Sequence, residues 1–236
     1  SGNSLAGRIK KFTKLLKTQD IEYIDVGNFF PDKNQFEGEI EFFDDDSAAK
    51  DTLAKWLIWG GYPEAILTNT SYERQEYLQR LVGSYLYRDM LELAGVRKPK
   101  LVEDLLRLLA FQIGREVSVA ELGQNLSVSK ETVARYLNLL EKSFVIFNVR
   151  GFSRNLRKEV YKNSRYYFWD TGVRNALINN FNELELRNDV GQLWENFLAV
   201  ERLKQLSIIG RQVNYYFWRT YDQKEIDWVE ENGGQI

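Results

Sequence analysis

The sequence predicts an α+β protein, mostly helical, and three observations carry that prediction. Leucine-rich and aromatic-rich segments with helical spacing run through residues 47–113. Two short helices joined by a three-residue turn follow, and two short strands then flank a basic segment. Beyond residue 173 a further amphipathic helix precedes two more strands.

Residues 1–30 contain only short apolar runs, namely Leu15-Leu16, Ile21 to Val26 and Phe29-Phe30, which read as a strand or two with loops. Pro31-Asp32-Lys33-Asn34 is a turn. Residues 36–46 alternate acids with Phe36, Ile40, Phe42 and Phe43, and read either as an edge strand, as a segment packing on a basic neighbour, or as a linker.

Asp46 or Ser47 caps a helix running to about Trp59. Gly60-Gly61 ends it, and Tyr62-Pro63-Glu64 opens another short helix. Ser71 caps a longer helix from Tyr72 to about Leu93, with Tyr77, Leu81, Tyr85 and Leu86 near one face. Pro99 opens a helix from Lys100 to Phe111. Residues 47–113 thus read as a helical bundle.

Ser118 and Glu121 form an S-x-x-E capping box, so a helix starts at Val119, with Val119, Leu122 and Leu126 at helical spacing. Ser127-Val128-Ser129 interrupts the pattern, and Ser129 caps a second helix. In that helix Val133, Leu137, Leu140 and Phe144 form one buried stripe, while Glu131, Arg135, Asn138 and Lys142 face the other way. Val145-Ile146-Phe147 and Tyr166-Tyr167-Phe168 read as strands of a hairpin. Between them lie Arg150, Arg154, Arg157, Lys158, Lys162 and Arg165 against one acid, Glu159. Helix, turn, helix and basic hairpin make a winged helix over 114–172, a motif whose second helix enters the DNA major groove. The candidate DNA-contacting residues are Ser129, Lys130, Thr132 and Arg135 at the start of that helix, and Arg150, Arg154, Arg157 and Lys158 in the wing. Neutralising phosphates releases condensed counterions, which is why such a site needs clustered cations. Winged helices also dock proteins, and that is the alternative partner class.

The net charge of −2 hides an asymmetry between basic residues 130–165 and the acidic stretch 37–46, as suits local rather than global affinity for nucleic acid. A 44% hydrophobic and 14% aromatic composition is ample for packed cores. There is no Cys and no His, which removes disulfides, thiol nucleophiles, zinc clusters and His-based triads. No apolar run approaches the roughly 20 residues that span a membrane, and no signal peptide is visible, so a cytoplasmic location is expected.

After Asp170, residues 172–178 form a short helix that Asn179-Asn180-Phe181-Asn182 breaks. Gly191 to Leu206 is amphipathic, with Leu193, Phe197, Val200 and Leu203 or Leu206 on one side. Strands follow at Val213 to Arg219 and Ile226 to Val229, and Asn232-Gly233-Gly234 is a hairpin signal.

Several segments keep the order and spacing of a known family: GGYPE (60–64), SYLYRDMLE (84–92), LLRLLAFQIGREVS (105–118), TVARYLNLLEKSFVIF (132–147), FSRNLRKE (152–159), FWDTGVRNALI (168–178), NDVGQLWENFLAVERLK (188–204) and FWRTYDQKEIDWVEE (217–231). Over about residues 55–236 the chain resembles a prokaryotic family of AAA-type ATPases predicted from sequence. Its members look like a P-loop ATPase domain followed by helices, a winged helix and a C-terminal restriction-endonuclease-like α/β domain. The resemblance implies a C-terminal fragment. Residues 1–46 would be a remnant of the ATPase domain or a linker, and 173–236 a truncated endonuclease-like domain.

The chain has no G-x-x-x-x-G-K-[ST] stretch, so the phosphate cradle is absent. ATP and Mg²⁺ are expected only for an intact parent. The missing ATPase domain would be a partner, an oligomer is compatible, and no catalytic residue is assigned to this chain. Ser4-Leu5-Ala6-Gly7-Arg8 resembles the family's Gly-Arg segment, which implies that Arg8 meets a nucleotide phosphate. In the endonuclease-like domain the resemblance places Glu195 at the helix acid and Asp227 at the strand acid of a divalent metal site. Glu225 lies on the same strand face as Asp227. The family's E-x-K would fall beyond Ile236. A metal-dependent nuclease in the intact parent is therefore a further alternative.

Overall fold

A computed structural model describes residues 46–84, 99–152, 164–219 and 224–233, with the backbone alone for 46–50. The expectations for residues 1–45, for the helix beyond residue 84 and for wing residues 154–162 lie outside the described residues.

The helices are α1 (Asp46–Trp59), α2 (Pro63–Leu67), α3 (Ser71–Leu81), α4 (Pro99–Phe111), α5 (Val119–Asn125), α6 (Lys130–Lys142), α7 (Thr171–Leu177) and α8 (Val190–Ile208). The strands are β1 (Glu116–Val117), β2 (Ile146–Gly151), β3 (Ser164–Phe168), β4 (Asn214–Arg219) and β5 (Glu225–Glu231). The protein is α+β and mostly helical, with one five-stranded mixed sheet among the described residues.

The helix starts follow from local chemistry. Ser118 Oγ accepts from the Glu121 N–H at 3.4 Å, and Ser129 Oγ from the Thr132 N–H at 3.2 Å. In α3 the capping residue is Thr70, whose hydroxyl accepts from the Glu73 N–H, and the expected cap Ser71 is the first helical residue.

Four helix ends share one device. After α6 the Val145 N–H reaches Leu140 O at 3.1 Å and the Phe144 N–H reaches Glu141 O at 3.1 Å, a Schellman motif with Phe144 at φ +54°. The same pair of bonds closes α5 around Ser127 (φ +54°), α7 around Asn179 (φ +50°) and α8 around Gly210 (φ +64°). The expectation that Phe144 completes the buried stripe of α6 is therefore corrected. The chain leaves the helix before Phe144, whose side chain is 74% exposed. Val133, Leu137 and Leu140 are buried as expected, and Tyr136 joins them.

The strand order is β1-β3-β2-β4-β5. β3 pairs antiparallel with β1 and β2, and β4 pairs antiparallel with β5. β2 and β4 run parallel through Arg150↔Tyr216 and Gly151↔Phe217, reinforced by Phe152 N–H to Phe217 O at 2.6 Å. The sheet thus crosses the boundary expected near residue 172, since β4 and β5 extend the hairpin's own sheet.

Both faces of that sheet are covered. Ile146, Tyr166 and Phe168 join the core formed with α4, α5, α6 and α7. Phe147, Val149, Tyr167 and Phe217 join a second core with Ala199 and Val200 of α8. This is why β2 and β3 read as continuous apolar runs rather than alternating ones. A third cluster fastens α1 to the start of α8 through Leu57, Ile58, Leu184 and Leu193.

Polar residues lock the helices together. Asp170 caps α7, accepting from the Val173 N–H at 2.8 Å and from the Gly61 N–H at 2.7 Å. Asn175 Nδ2 donates to Leu57 O and Ile58 O at 3.0 and 2.8 Å. Arg174 and Arg187 converge on Asp189 at 2.5 and 2.8 Å. Burial works against the Asp189 carboxylate, yet these two guanidinium groups outweigh it and hold its pKa at about 2. Asn196 of α8 brackets the Phe168 peptide, accepting from its N–H at 2.7 Å and donating to its carbonyl at 2.8 Å. No helix among the described residues is long and apolar enough to cross a membrane.

Candidate nucleic-acid interface and acidic cluster

The start of α6 is a solvent-facing surface. Ser129 and Lys130 are exposed, and Thr132 is half-buried with its hydroxyl 3.2 Å from that of Ser129. Arg135 is exposed, with its guanidinium 5.1 Å from the Tyr136 ring centroid. On the same helix Asn138 and Lys142 are exposed, while the opposite face is buried. Arg150 is exposed near the end of β2, where it faces Ser164 of β3 and Tyr216 of β4 in register. Arg154, Arg157, Lys158 and Arg8 lie outside the described residues.

Arg165 is corrected. Counted with the wing cations by sequence, it is 3% exposed and turned into the sheet's α8 face. Its guanidinium centre lies 4.5 Å from the Phe217 ring centroid. Nη1 lies 2.7 Å from Asp227 Oδ1 and 3.3 Å from Glu195 Oε1, and Nη2 lies 2.8 Å from Glu225 Oε2. Tyr167, two residues along and on the same strand face, donates its hydroxyl to Glu195 Oε1. Gly114 leaves room for this carboxylate, since a Cβ there would stand 3.3 Å from Glu195 Oε1, and its φ is +71°. Arg219 borders the cluster, 3.0 Å from Glu116 and 4.0 Å from Glu225.

The two acids picked out as metal ligands, Glu195 and Asp227, are thus brought together, with Glu225 beside them. Burial pushes the Glu195 carboxyl up to about 7, with Asp227 and Glu225 adding to the shift, against the Tyr167 hydrogen bond and the Arg165 charge. One guanidinium shared among three acids does not hold every one of them ionised. Arg165 stays charged, its pKa raised by Asp227 and Glu195 despite the opposing effect of burial. The partner missed in the sequence is Arg165. Its burial follows from the pairing of β4 with β2, which brings Phe217 over it, and no local spacing signals that.

The fold and these two surfaces define a helix pair and a mixed sheet sharing one core, with an open helix face at one place and a filled acidic cluster at another. The chain belongs to the family described as Domain of unknown function (DUF8612), which matches residues 50–184. A second family, Domain of unknown function (DUF4143), matches residues 190–236. The chain is 29% identical to an uncharacterized protein of Mycobacterium tuberculosis over 192 residues, 80% of this chain and 42% of that relative. It is 23% identical to an uncharacterized protein of Haemophilus influenzae over 183 residues, covering 75% of this chain and 42% of the relative. Identity to an uncharacterized protein of Methanocaldococcus jannaschii is also 23%, over 72% of this chain and 38% of the relative. The chain spans less than half the length of these curated relatives. No solved structure matches.

Proposed function

We propose that this chain is the DNA-binding and regulatory part of an AAA-type ATPase, and that it grips duplex DNA with little sequence preference through a winged helix. The winged helix comprises α5, α6 and the strands β1, β3 and β2. The observation that carries this reading is the division of α6 into two faces. Val133, Tyr136, Leu137 and Leu140 satisfy the core, so the core does not need the charges of exposed Lys130 and Arg135, which sit where a recognition helix would meet base edges and phosphates. Arg150 and the following Arg154, Arg157 and Lys158 would track the adjacent backbone, positioning the duplex without reading it.

The ATPase domain belongs to the same proposal. More than half of the mycobacterial relative lies outside the match, room enough for such a domain. In that parent ATP and Mg²⁺ would bind the ATPase domain, Arg8 would face a nucleotide phosphate, and α1–α4 would couple nucleotide state to the winged helix. The segment α8–β4–β5 would be an endonuclease-like unit attached to the wing.

A second reading, a protein-docking module, draws on one observation. β4 occupies the outer edge of β2 at Arg150 and Gly151, so the hairpin already serves as a docking strand within this chain. Fluorescence anisotropy with a labelled duplex separates the two. Non-specific binding with a Kd of about 10⁻⁴–10⁻⁶ M at physiological salt, tighter at low salt, is the expected result. No binding at low salt would leave the docking module as the function.

A further inference from the structure

The resemblance stated from the sequence implies a divalent metal held by Glu195 and Asp227, and the side chains present do not fit one. A divalent ion is a point charge that draws hard oxygens onto a single centre at about 2.0–2.6 Å. Here the carboxylates are divided between the two Nη atoms of a planar fork. Asp227 and Glu195 meet Nη1 of Arg165, and Glu225 meets Nη2, at 2.7, 3.3 and 2.8 Å. That geometry suits a guanidinium, which presents its donors in fixed directions and stays charged at any physiological pH. Among the described residues no group of three or more Asp, Glu, His or Cys side chains is arranged to hold a metal ion.

We propose that Arg165 takes the place of a metal ion among Glu195, Glu225 and Asp227, and clasps α8 and β5 to the hairpin β2–β3. Four observations point the same way. Arg165 is almost wholly buried, so its charge needs counter-ions within the protein. Its guanidinium lies against Phe217 of β4, which fixes its plane. Its Nε has no hydrogen-bond partner, so the charge is satisfied through the two Nη atoms that face the acids. The three acids come from two elements, α8 and β5, while the arginine comes from β3, so each of its ion pairs crosses between elements. Without a cation at this point, Glu225 and Asp227 would meet the buried Glu195 carboxyl with no counter-charge at the junction that joins β4–β5 to the hairpin. The clasp therefore makes the C-terminal strands and the hairpin one mechanical unit. This inference stands apart from the DNA-binding reading and does not depend on it.

The test uses the full chain, with Mn²⁺ as the probe read by electron paramagnetic resonance and backbone hydrogen exchange as the second readout. Wild-type protein should leave millimolar Mn²⁺ free. Arg165→Met should speed exchange of the β4 and β5 amides by about tenfold or more, while the amides of α4 and α6 keep their wild-type rates. Asp227 is half exposed, so Asp227→Asn keeps the fold and should loosen β5 to a lesser degree. Arg165→Lys, which keeps the charge and loses the fork, should fall between wild type and Arg165→Met. Mn²⁺ binding by the wild type that disappears in Asp227→Asn would overturn the proposal whether or not Arg165→Met folds. So would β5 exchange in Asp227→Asn identical to the wild type.

Discussion

Asp170 Oδ2 accepts a hydrogen bond from the Gly61 N–H at 2.7 Å, joining the end of α1 to the start of α7 across 109 residues of chain. The approach is close because glycines line both sides. A Cβ on Gly60, which sits at φ +74°, would lie 2.2 Å from Asp170 Oδ1. A Cβ on Gly172 would lie 2.1 Å from the Trp59 carbonyl oxygen. The GGYPE and WDTG segments are thus two halves of one helix junction.

Gly172→Ala should accordingly destabilise the protein by about 1–3 kcal/mol, since a backbone carbonyl must shift to admit the methyl group. Gly83→Ala is the control. Nothing lies within 4 Å of its would-be Cβ, and the change should be neutral or mildly stabilising, by less than about 1 kcal/mol. Urea unfolding of both variants checks this. Equal effects at the two positions would show that the junction yields.

Leu137 is 3% exposed beneath the outer face of α6. Leu137→Ala should cost about 2–5 kcal/mol by the lost transfer energy and the cavity left behind. Phe144→Ala should cost much less, because that ring is 74% exposed. Chemical denaturation of the two variants orders them, and a larger loss for Phe144→Ala would reverse the faces assigned to this helix.

The contrast between these two residues shows what the sequence made legible. Ser118 and Ser129 announce their helices, because a hydroxyl before an apolar run has one obvious use. One helix end was hidden. The breaks at Ser127 and Asn179 were legible, but Phe144 occupies a left-handed position where glycine is the usual signal, so the spacing of α6 runs on through it without a visible stop. Glu195 and Asp227 were found through a family likeness. Arg165 was not, because its burial depends on β4 pairing with β2, a parallel pairing between segments far apart in the chain that no local pattern encodes.

The Glu195 carboxyl gives the protein a specific pH dependence. Its pKa is pushed from 4.5 to about 7, chiefly by burial. The folded state therefore holds this proton more tightly than the unfolded chain. The stabilisation it confers is full below pH 4.5 and is lost as pH rises through about 7. At 1.36 kcal/mol per pKa unit the loss is roughly 3 kcal/mol. Glu195→Gln keeps a neutral side chain and should remove that part of the slope between about pH 5 and 8. Asp189, held at about 2, titrates well below this window. Unfolding free energies of both proteins across the window decide the matter, and parallel profiles would show that Glu195 does not titrate there.

The central claim is that the exposed face of α6 and the basic segment after β2 hold duplex DNA by its phosphates. The most direct measurement is the salt dependence of duplex binding by anisotropy, for wild type and for the Arg154→Ala/Arg157→Ala double variant. Each phosphate that the variant no longer neutralises should flatten the plot of log K against log salt by about one unit, so the double variant should show a slope shallower by about two. A wild type that does not bind at low salt, or a double variant with an unchanged slope, would contradict the account.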